Sequence, residues 1–183
     1  MDFELVLKRL LAEFDREQIR YAAIGGFALG VLGVPRQTMD LDFLVHRDDL
    51  TKLDVIVGGL GYERVFRSEN VSQYRHQNGA WGSLDFVHAF RQISLAMLQR
   101  AESYPVFGGA QSLKAADAED VIGLKVQAMC NDVTRGAQER ADIERLMNRY
   151  GKRLDWARVE EYYKLFGHGE EMKSLKERFG CAD

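Results

Sequence analysis

The stretch MDLDFLV, residues 39–45, decides how this chain is read, because Asp40 and Asp42 stand one residue apart inside an otherwise apolar strand. Alternate side chains of a strand share a face at a rise of ~3.3 Å per residue, which sets the two carboxylates ~6.6 Å apart along the chain. At an effective dielectric of ~20 their repulsion is ~2.5 kcal/mol, a large fraction of a domain's stability margin. Such a pair calls for positive charge between its members. A lone D-x-D is equally the wet face of an amphipathic strand with Leu41 turned inward, so the choice rests on the surrounding chain.

Upstream, Phe3, Leu7, Leu10, Leu11 and Phe14 recur at helical spacing and predict an amphipathic helix from Phe3 to about Gln18. RYAAIGG (20–26) reads as a short strand ending in Gly25 and Gly26, and FALGVLG (27–33) as a short helix closed by Gly33 and Pro35. Downstream, a helix over 48–57 is capped by GGLG. YERVFRS (62–68) and VSQYRHQ (71–77) form a hairpin turning at Glu69 and Asn70, and GSLDFVHA (82–89) is a further strand. Helices alternating with strands, then a late hairpin, predict an α/β or α+β fold with a mixed sheet flanked by helices. From Asp117 the chain reads as helices over 117–132, 136–150, 155–166 and 169–179. The division expected is a core over residues 1–112 and a C-terminal helical region over 113–183 packed on it.

Composition narrows the class without naming a partner. The 183 residues, 46% hydrophobic and 29% charged, suit one good core with a helical appendage. A net charge of -3 excludes a generally basic nucleic-acid coat but leaves room for a local basic groove. Cys130 and Cys181 make no C-x-x-C and no disulfide framework. The N-terminal MDFELVLKRLL lacks the basic start and apolar run of a signal peptide, and no stretch approaches ~18 apolar residues. The expectation is a reduced, cytoplasmic protein.

A third acid changes the weight of the first two. In SLDFVHA (83–89), Asp85 again stands between apolar neighbours, and LDFVHA echoes LDFLVH (41–46). Hard divalent cations such as Mg²⁺ take carboxylate oxygens, and paired metal sites stabilise both the attacking and the leaving oxygens of phosphoryl or nucleotidyl transfer. AIGGFAL (23–29) runs from an apolar strand through two glycines into a helix, where unobstructed backbone N–H groups suit an anion such as a triphosphate, though Gly-Gly also makes an ordinary tight turn. G-x-G-x-x-G, G-x-x-x-x-G-K-[ST] and H-E-x-x-H are all absent.

This order of elements resembles the nucleotidyltransferases of the DNA polymerase β superfamily, whose motif is an apolar residue, Gly, Gly or Ser, then D-x-[DE] and a later third acid. Residues 24–85 carry the match, with Gly26 where the superfamily often has Ser. IGGFALGVLGVPRQTMDLDFLV (24–45) is similar to the AbiEii-type branch of toxin–antitoxin nucleotidyltransferases, in which an Arg-x-Thr, here Arg36 and Thr38, precedes the acids. Residues 117–147 resemble the branch's Lys-bearing and Asp-bearing helices, with Lys125 and Asp142 at those places.

The resemblance implies a metal-dependent enzyme that moves a nucleoside monophosphate from an NTP to an acceptor hydroxyl and releases pyrophosphate. Asp40, Asp42 and Asp85 would be catalytic and hold Mg²⁺ or Mn²⁺, while Gly25, Gly26, Arg36, Thr38, Lys125 and Asp142 would bind the nucleotide. It also implies an RNA or tRNA acceptor and a cognate antitoxin partner. The alternatives are a non-catalytic nucleotide- or partner-binding module of the same fold and a small-molecule (antibiotic) nucleotidyltransferase.

The residues offer blander readings beside these. Lys125 falls near the centre of the apolar face of its helix, so a long stem reaching water or a carboxylate explains it structurally. Asp142 has Arg145 at i,i+3 as an intrahelical partner. Arg135, Arg140, Arg145, Arg149, Lys152, Arg153 and Arg158 concentrate positive charge, either as a solvated helical surface or as an RNA groove with Tyr150, Trp156, Tyr162 and Tyr163 for stacking. His88 lies three residues beyond Asp85 and is not assigned to the site.

Overall fold

The computed structural model describes residues 1–180; Cys181 lies outside them. The chain forms two compact units, one of Met1–Val31 with Pro35–Ala116, the other of Leu32–Val34 with the chain from Asp117 onward.

The first unit is a seven-stranded mixed sheet flanked by helices, as the alternation of elements predicts. Its strands are β1 (Tyr21–Ile24), β2 (Asp40–His46), β3 (Tyr62–Arg67), β4 (Val71–His76), β5 (Ser83–Ala89), β6 (Glu102–Val106) and β7 (Gln111–Ala115), in the order β3-β4-β5-β2-β1-β7-β6. β2 and β5 run parallel, as do β1 and β7, and the other neighbours are antiparallel. The helices are α1 (Phe3–Glu17), α2 (Gly25–Val31), α3 (Leu50–Gly59) and α4 (Gln92–Arg100).

The central register follows from the echoed triplets: Leu41 pairs with Leu84, Asp42 with Asp85 and Phe43 with Phe86. Leucines and phenylalanines turn to one face and are buried there, with the Phe43 and Phe86 rings stacked at 5.6 Å. Helix α1 closes over this face, where Phe14 meets the edge of Phe43 at 5.9 Å. Asp2 caps α1, its carboxylate accepting from the Leu5 N–H at 3.1 Å. Arg20 ties β1 to the turn before α3, its guanidinium reaching both oxygens of Asp49 at 2.8 and 2.9 Å.

The sequence reading leaves α4, β6 and β7 unassigned, for physical reasons. Strand β6 carries Pro105, which cannot donate to a ladder and is tolerated because β6 ends the sheet. Strand β7 joins β1 through the single pair Ala23 and Ala115 and buries only Leu113 and Ala115. The start of α4 is marked by Ser94, whose hydroxyl accepts from the Phe90 and Arg91 N–H groups, a cap from inside the helix rather than before it.

The second unit contains α5 (Ala118–Asn131), α6 (Gly136–Tyr150), α7 (Trp156–Leu165) and α8 (Gly169–Phe179), where hydrophobic spacing places helices. Val121, Ile122, Val126, Ile143, Leu146, Val159 and Tyr163 build its core. Arg158 binds Asp117 and Glu119 at 3.0 Å each, and the Tyr162 hydroxyl donates to Asp120 at 2.6 Å, so α7 is pinned to the start of α5. Burial holds the Asp117 carboxyl above its usual range, with Asp120 adding to the effect. Among the described residues no helix is long and apolar enough to cross a membrane.

His88 belongs to the buried face of β5, where its ring bonds the Glu69 carbonyl at 2.9 Å and the Ser72 hydroxyl at 3.0 Å. A carbonyl only accepts, so Nδ1 carries the proton and Nε2 accepts from Ser72. Burial pushes this imidazole below its ordinary pKa, so the unfolded chain binds the proton first as the pH falls. Stability from this group is complete above about pH 6.5 and declines as the pH drops from there toward the lowered folded value. Urea unfolding between pH 7.5 and 5 is expected to show this loss, and His88→Gln is expected to flatten it.

Candidate active site

The strand β1 ends in small residues, Ala22 and Ala23, before Ile24 pairs across to Asp42. Gly25 then adopts φ +66, and a Cβ built there would lie 2.0 Å from Asp42 Oδ2. Only glycine fits, because the carboxylate occupies the space a side chain would need and the backbone is left-handed. Gly26 is held to the same identity by a different neighbour: its Cβ would meet Thr38 Oγ1 at 2.6 Å and Arg36 Cζ at 3.3 Å. The two glycines therefore let Asp42, Thr38 and Arg36 close on the strand-to-helix turn.

Asp40 sits one pleat before Asp42 on the same face and accepts from the Thr38 hydroxyl at 2.8 Å. Arg36 anchors itself by donating to the Gln37 carbonyl at 3.0 Å. Asp85 arrives from β5 directly opposite Asp42 and accepts from the Gln73 amide at 3.1 Å. Asp40, Asp42 and Asp85 are all half-buried, and one oxygen from each lies within 4.8 Å of the others.

These donors fit a hard divalent cation. Two oxygens bound to one Mg²⁺ at about 2.1 Å stand at most about 4.2 Å apart, and ions paired about 3.5–4 Å apart accommodate a wider set. With carboxylates alone and no His or Cys, the set suits Mg²⁺ or Mn²⁺ over zinc.

Lys125 and Asp142 belong to the second unit. The Lys125 ammonium is 2.8 Å from Glu139 and 2.7 Å from Asp142, and all three side chains are buried. Glu139 also accepts from Arg135 at 2.7 Å, and Asp142 accepts from Gln138 at 3.0 Å, with Arg145 at 3.7 Å. Glu139 is missing from the sequence reading, although it stands three residues before Asp142 and a buried lysine demands partners. Gln73 is missing as well, since only the strand register places it beside Asp85. His88 points away from the acids, as its position three residues from Asp85 on a strand requires.

The chain was compared with known proteins on this basis. A family model described as an uncharacterised nucleotidyltransferase matches residues 3–169. Among curated proteins, none matches. The antibiotic-resistance factor ANT(2'')-Ia, in its solution structure, superposes with a TM-score of 0.67 at 16% identity, covering 97% of this chain and 98% of its own. The lincosamide antibiotic adenylyltransferase LnuA, lincomycin-bound, gives 0.56 at 16% identity over 78% and 95%. A nucleotidyltransferase-like protein from Paracoccidioides brasiliensis gives 0.54 at 18% identity over 95% and 92%. At such identities the likeness is one of fold.

Two outcomes follow from this geometry. Gly25→Ala is expected to displace the Asp42 carboxylate and weaken Mn²⁺ binding about tenfold or more in a direct titration, as disturbed ligand orientation does elsewhere. Lys125→Met leaves two buried carboxylates without their ammonium and is expected to cost about 3–5 kcal/mol in chemical denaturation. Replacing all three members of that cluster by apolar residues of similar volume is expected to cost much less.

Proposed function

This chain belongs to the uncharacterised nucleotidyltransferase family, and on that premise we propose that it transfers a nucleoside monophosphate from an NTP to the hydroxyl of a small molecule. The observation that carries the reading is the convergence of Asp40, Asp42 and Asp85 beside a glycine that no other residue can replace.

Asp40 and Asp42 hold the metal, and Asp85 completes the set. Bound there, Mg²⁺ or Mn²⁺ supplies charge stabilisation for the attacking and leaving oxygens. Asp85 takes the proton of the acceptor hydroxyl as its oxygen bonds to the α-phosphorus. The bond from that phosphorus to the bridging oxygen breaks, and pyrophosphate leaves with the electron pair. The backbone N–H groups of Gly25 and Gly26 would seat the β- and γ-phosphates, Arg36 neutralises charge growing on the leaving group, and Thr38 orients Asp40. For Lys125 and Asp142 the resemblance implies nucleotide contact.

The choice of a small-molecule acceptor is supported by two things. LnuA is a lincosamide antibiotic adenylyltransferase, and ANT(2'')-Ia is known in complex with adenylyl-2''-tobramycin. In addition, Arg135, Arg140, Arg145 and Arg158 are each engaged by carboxylates, which leaves less positive charge for RNA phosphates. A second reading, an RNA or tRNA acceptor with an antitoxin as in the AbiEii-like branch, rests on the similarity of residues 24–45 and on the arginines of α6. A non-catalytic module would have no need of the complete acidic set.

Transfer from each α-labelled NTP, with Mg²⁺ or Mn²⁺, into the small-molecule, RNA and protein fractions of a cell extract tests the reading. Label is expected in the small-molecule fraction with the wild type and at background with Asp42→Asn. Without metal, Asp42→Asn is expected to melt at the same temperature or higher, because up to ~2.5 kcal/mol of repulsion is relieved. Label in RNA would select the second reading, and equal transfer by Asp42→Asn would overturn the site.

A further inference from the structure

The residue opposite Asp85 on its other side carries information that the acids alone do not. Strands β3, β4, β5 and β2 set Phe66, Gln73, Asp85 and Asp42 in one row, each paired directly with the next. Residues paired in this way share a face of the sheet, so Gln73 projects beside the acids. Its amide nitrogen donates to Asp85 Oδ2 at 3.1 Å, although Gln73 is exposed.

The chemistry of that donor is selective. An exposed strand position facing an acid ordinarily gains most from lysine or arginine, whose opposite charge stabilises the cross-strand pair. A cation on Asp85, however, would neutralise the charge that a divalent metal needs. Strand β4 keeps its own cation, Arg75, one row away opposite Ser83. Glutamine satisfies one Asp85 oxygen and restrains the carboxylate's rotation while itself adding no charge. The same logic governs Thr38, a neutral donor to Asp40 on the far side of the site.

We propose that Gln73 is a positioning residue of the metal site, holding Asp85 by a neutral hydrogen bond in the orientation that completes the cluster with Asp40 and Asp42. The inference rests on the metal-site reading given above and deepens it. Gln73 touches neither metal nor nucleotide; it acts through Asp85.

The test uses the full chain and Mn²⁺ alone, with free ion measured by electron paramagnetic resonance. Gln73→Met keeps the length of the side chain and removes the donor; Gln73→Lys keeps a donor and adds charge. Gln73→Met is expected to weaken Mn²⁺ binding by about 10-fold to 100-fold, the range found when ligand-orienting partners are removed, and Gln73→Lys by more. Melting temperatures without metal are expected to stay within about 2 °C of the wild type, since exposed substitutions of this kind change stability little. In an Asp85→Asn background Gln73→Met is expected to add no further loss, which a general effect on the strand would not reproduce.

Mn²⁺ affinity within twofold of the wild type in Gln73→Met would remove Gln73 from the site and leave the acids standing. A loss of equal size in the Asp85→Asn background would do the same. Absence of Mn²⁺ binding by the wild type would overturn the metal site itself, and this inference with it.

Discussion

The structure depends on the in-register parallel pairing of two Leu-Asp-Phe triplets. Leu41, Phe43, Leu84 and Phe86 face the core and are essentially fully buried. Each such burial contributes about 1.5–3 kcal/mol, or roughly 6–12 kcal/mol for the four, against ~3.5 kcal/mol for a pair of carboxylates 4.8 Å apart at an effective dielectric of ~20. A slip of one residue would turn the aspartates into the core and the phenylalanines out. Hydrophobic burial thus wins, and in winning it forces Asp42 and Asp85 together on the opposite face. The repulsion is the consequence of the register, and a divalent cation bound there would convert it into attraction.

Around that pair the chain has removed bulk and supplied neutral donors. Gly25 yields the volume that Asp42 occupies, and Gly26 admits Thr38 and Arg36. Thr38 and Gln73 then donate to Asp40 and Asp85 from opposite sides of the cluster. Neither Thr38 nor Gln73 competes with a metal for charge, and each restrains the carboxylate that accepts from it. On the other face of the sheet, Asp54 of α3 holds Arg64 and Arg67 at 3.0 and 2.6 Å.

The helical unit solves a different problem. Lys125 enters its core as a charge and is matched by Glu139 and Asp142, which Arg135, Gln138 and Arg145 satisfy in turn. Burying such a network gains little stability over apolar packing, but it tolerates only one arrangement of α5 against α6. Arg158 does the same for α5 and α7 through Asp117 and Glu119. The arginines that stand out along this part of the sequence are thereby explained largely by the acids beside them.

Much of this was legible in the chain. Residues 39–45 and 83–89 announce strands with acids on one face, residues 23–29 announce a tight glycine turn, and hydrophobic spacing places the helices other than α4, because these signals are local and depend only on the two backbone periods. The short strands β6, at the edge of the sheet, and β7, between β6 and β1, were silent, since five residues each, with a proline in one and only Leu113 and Ala115 buried in the other, make too short a pattern to read. Sequence by itself determined that three aspartates would be held in strands and that a lysine would stand on the apolar face of its helix. Only the tertiary structure decided which of them meet: the parallel register set Asp42 against Asp85, the hairpin delivered Gln73 to Asp85, and the packing of α6 on α5 chose Glu139 and Asp142 for Lys125. Partnership across elements is fixed by register and packing, and neither is written at any single position of the chain.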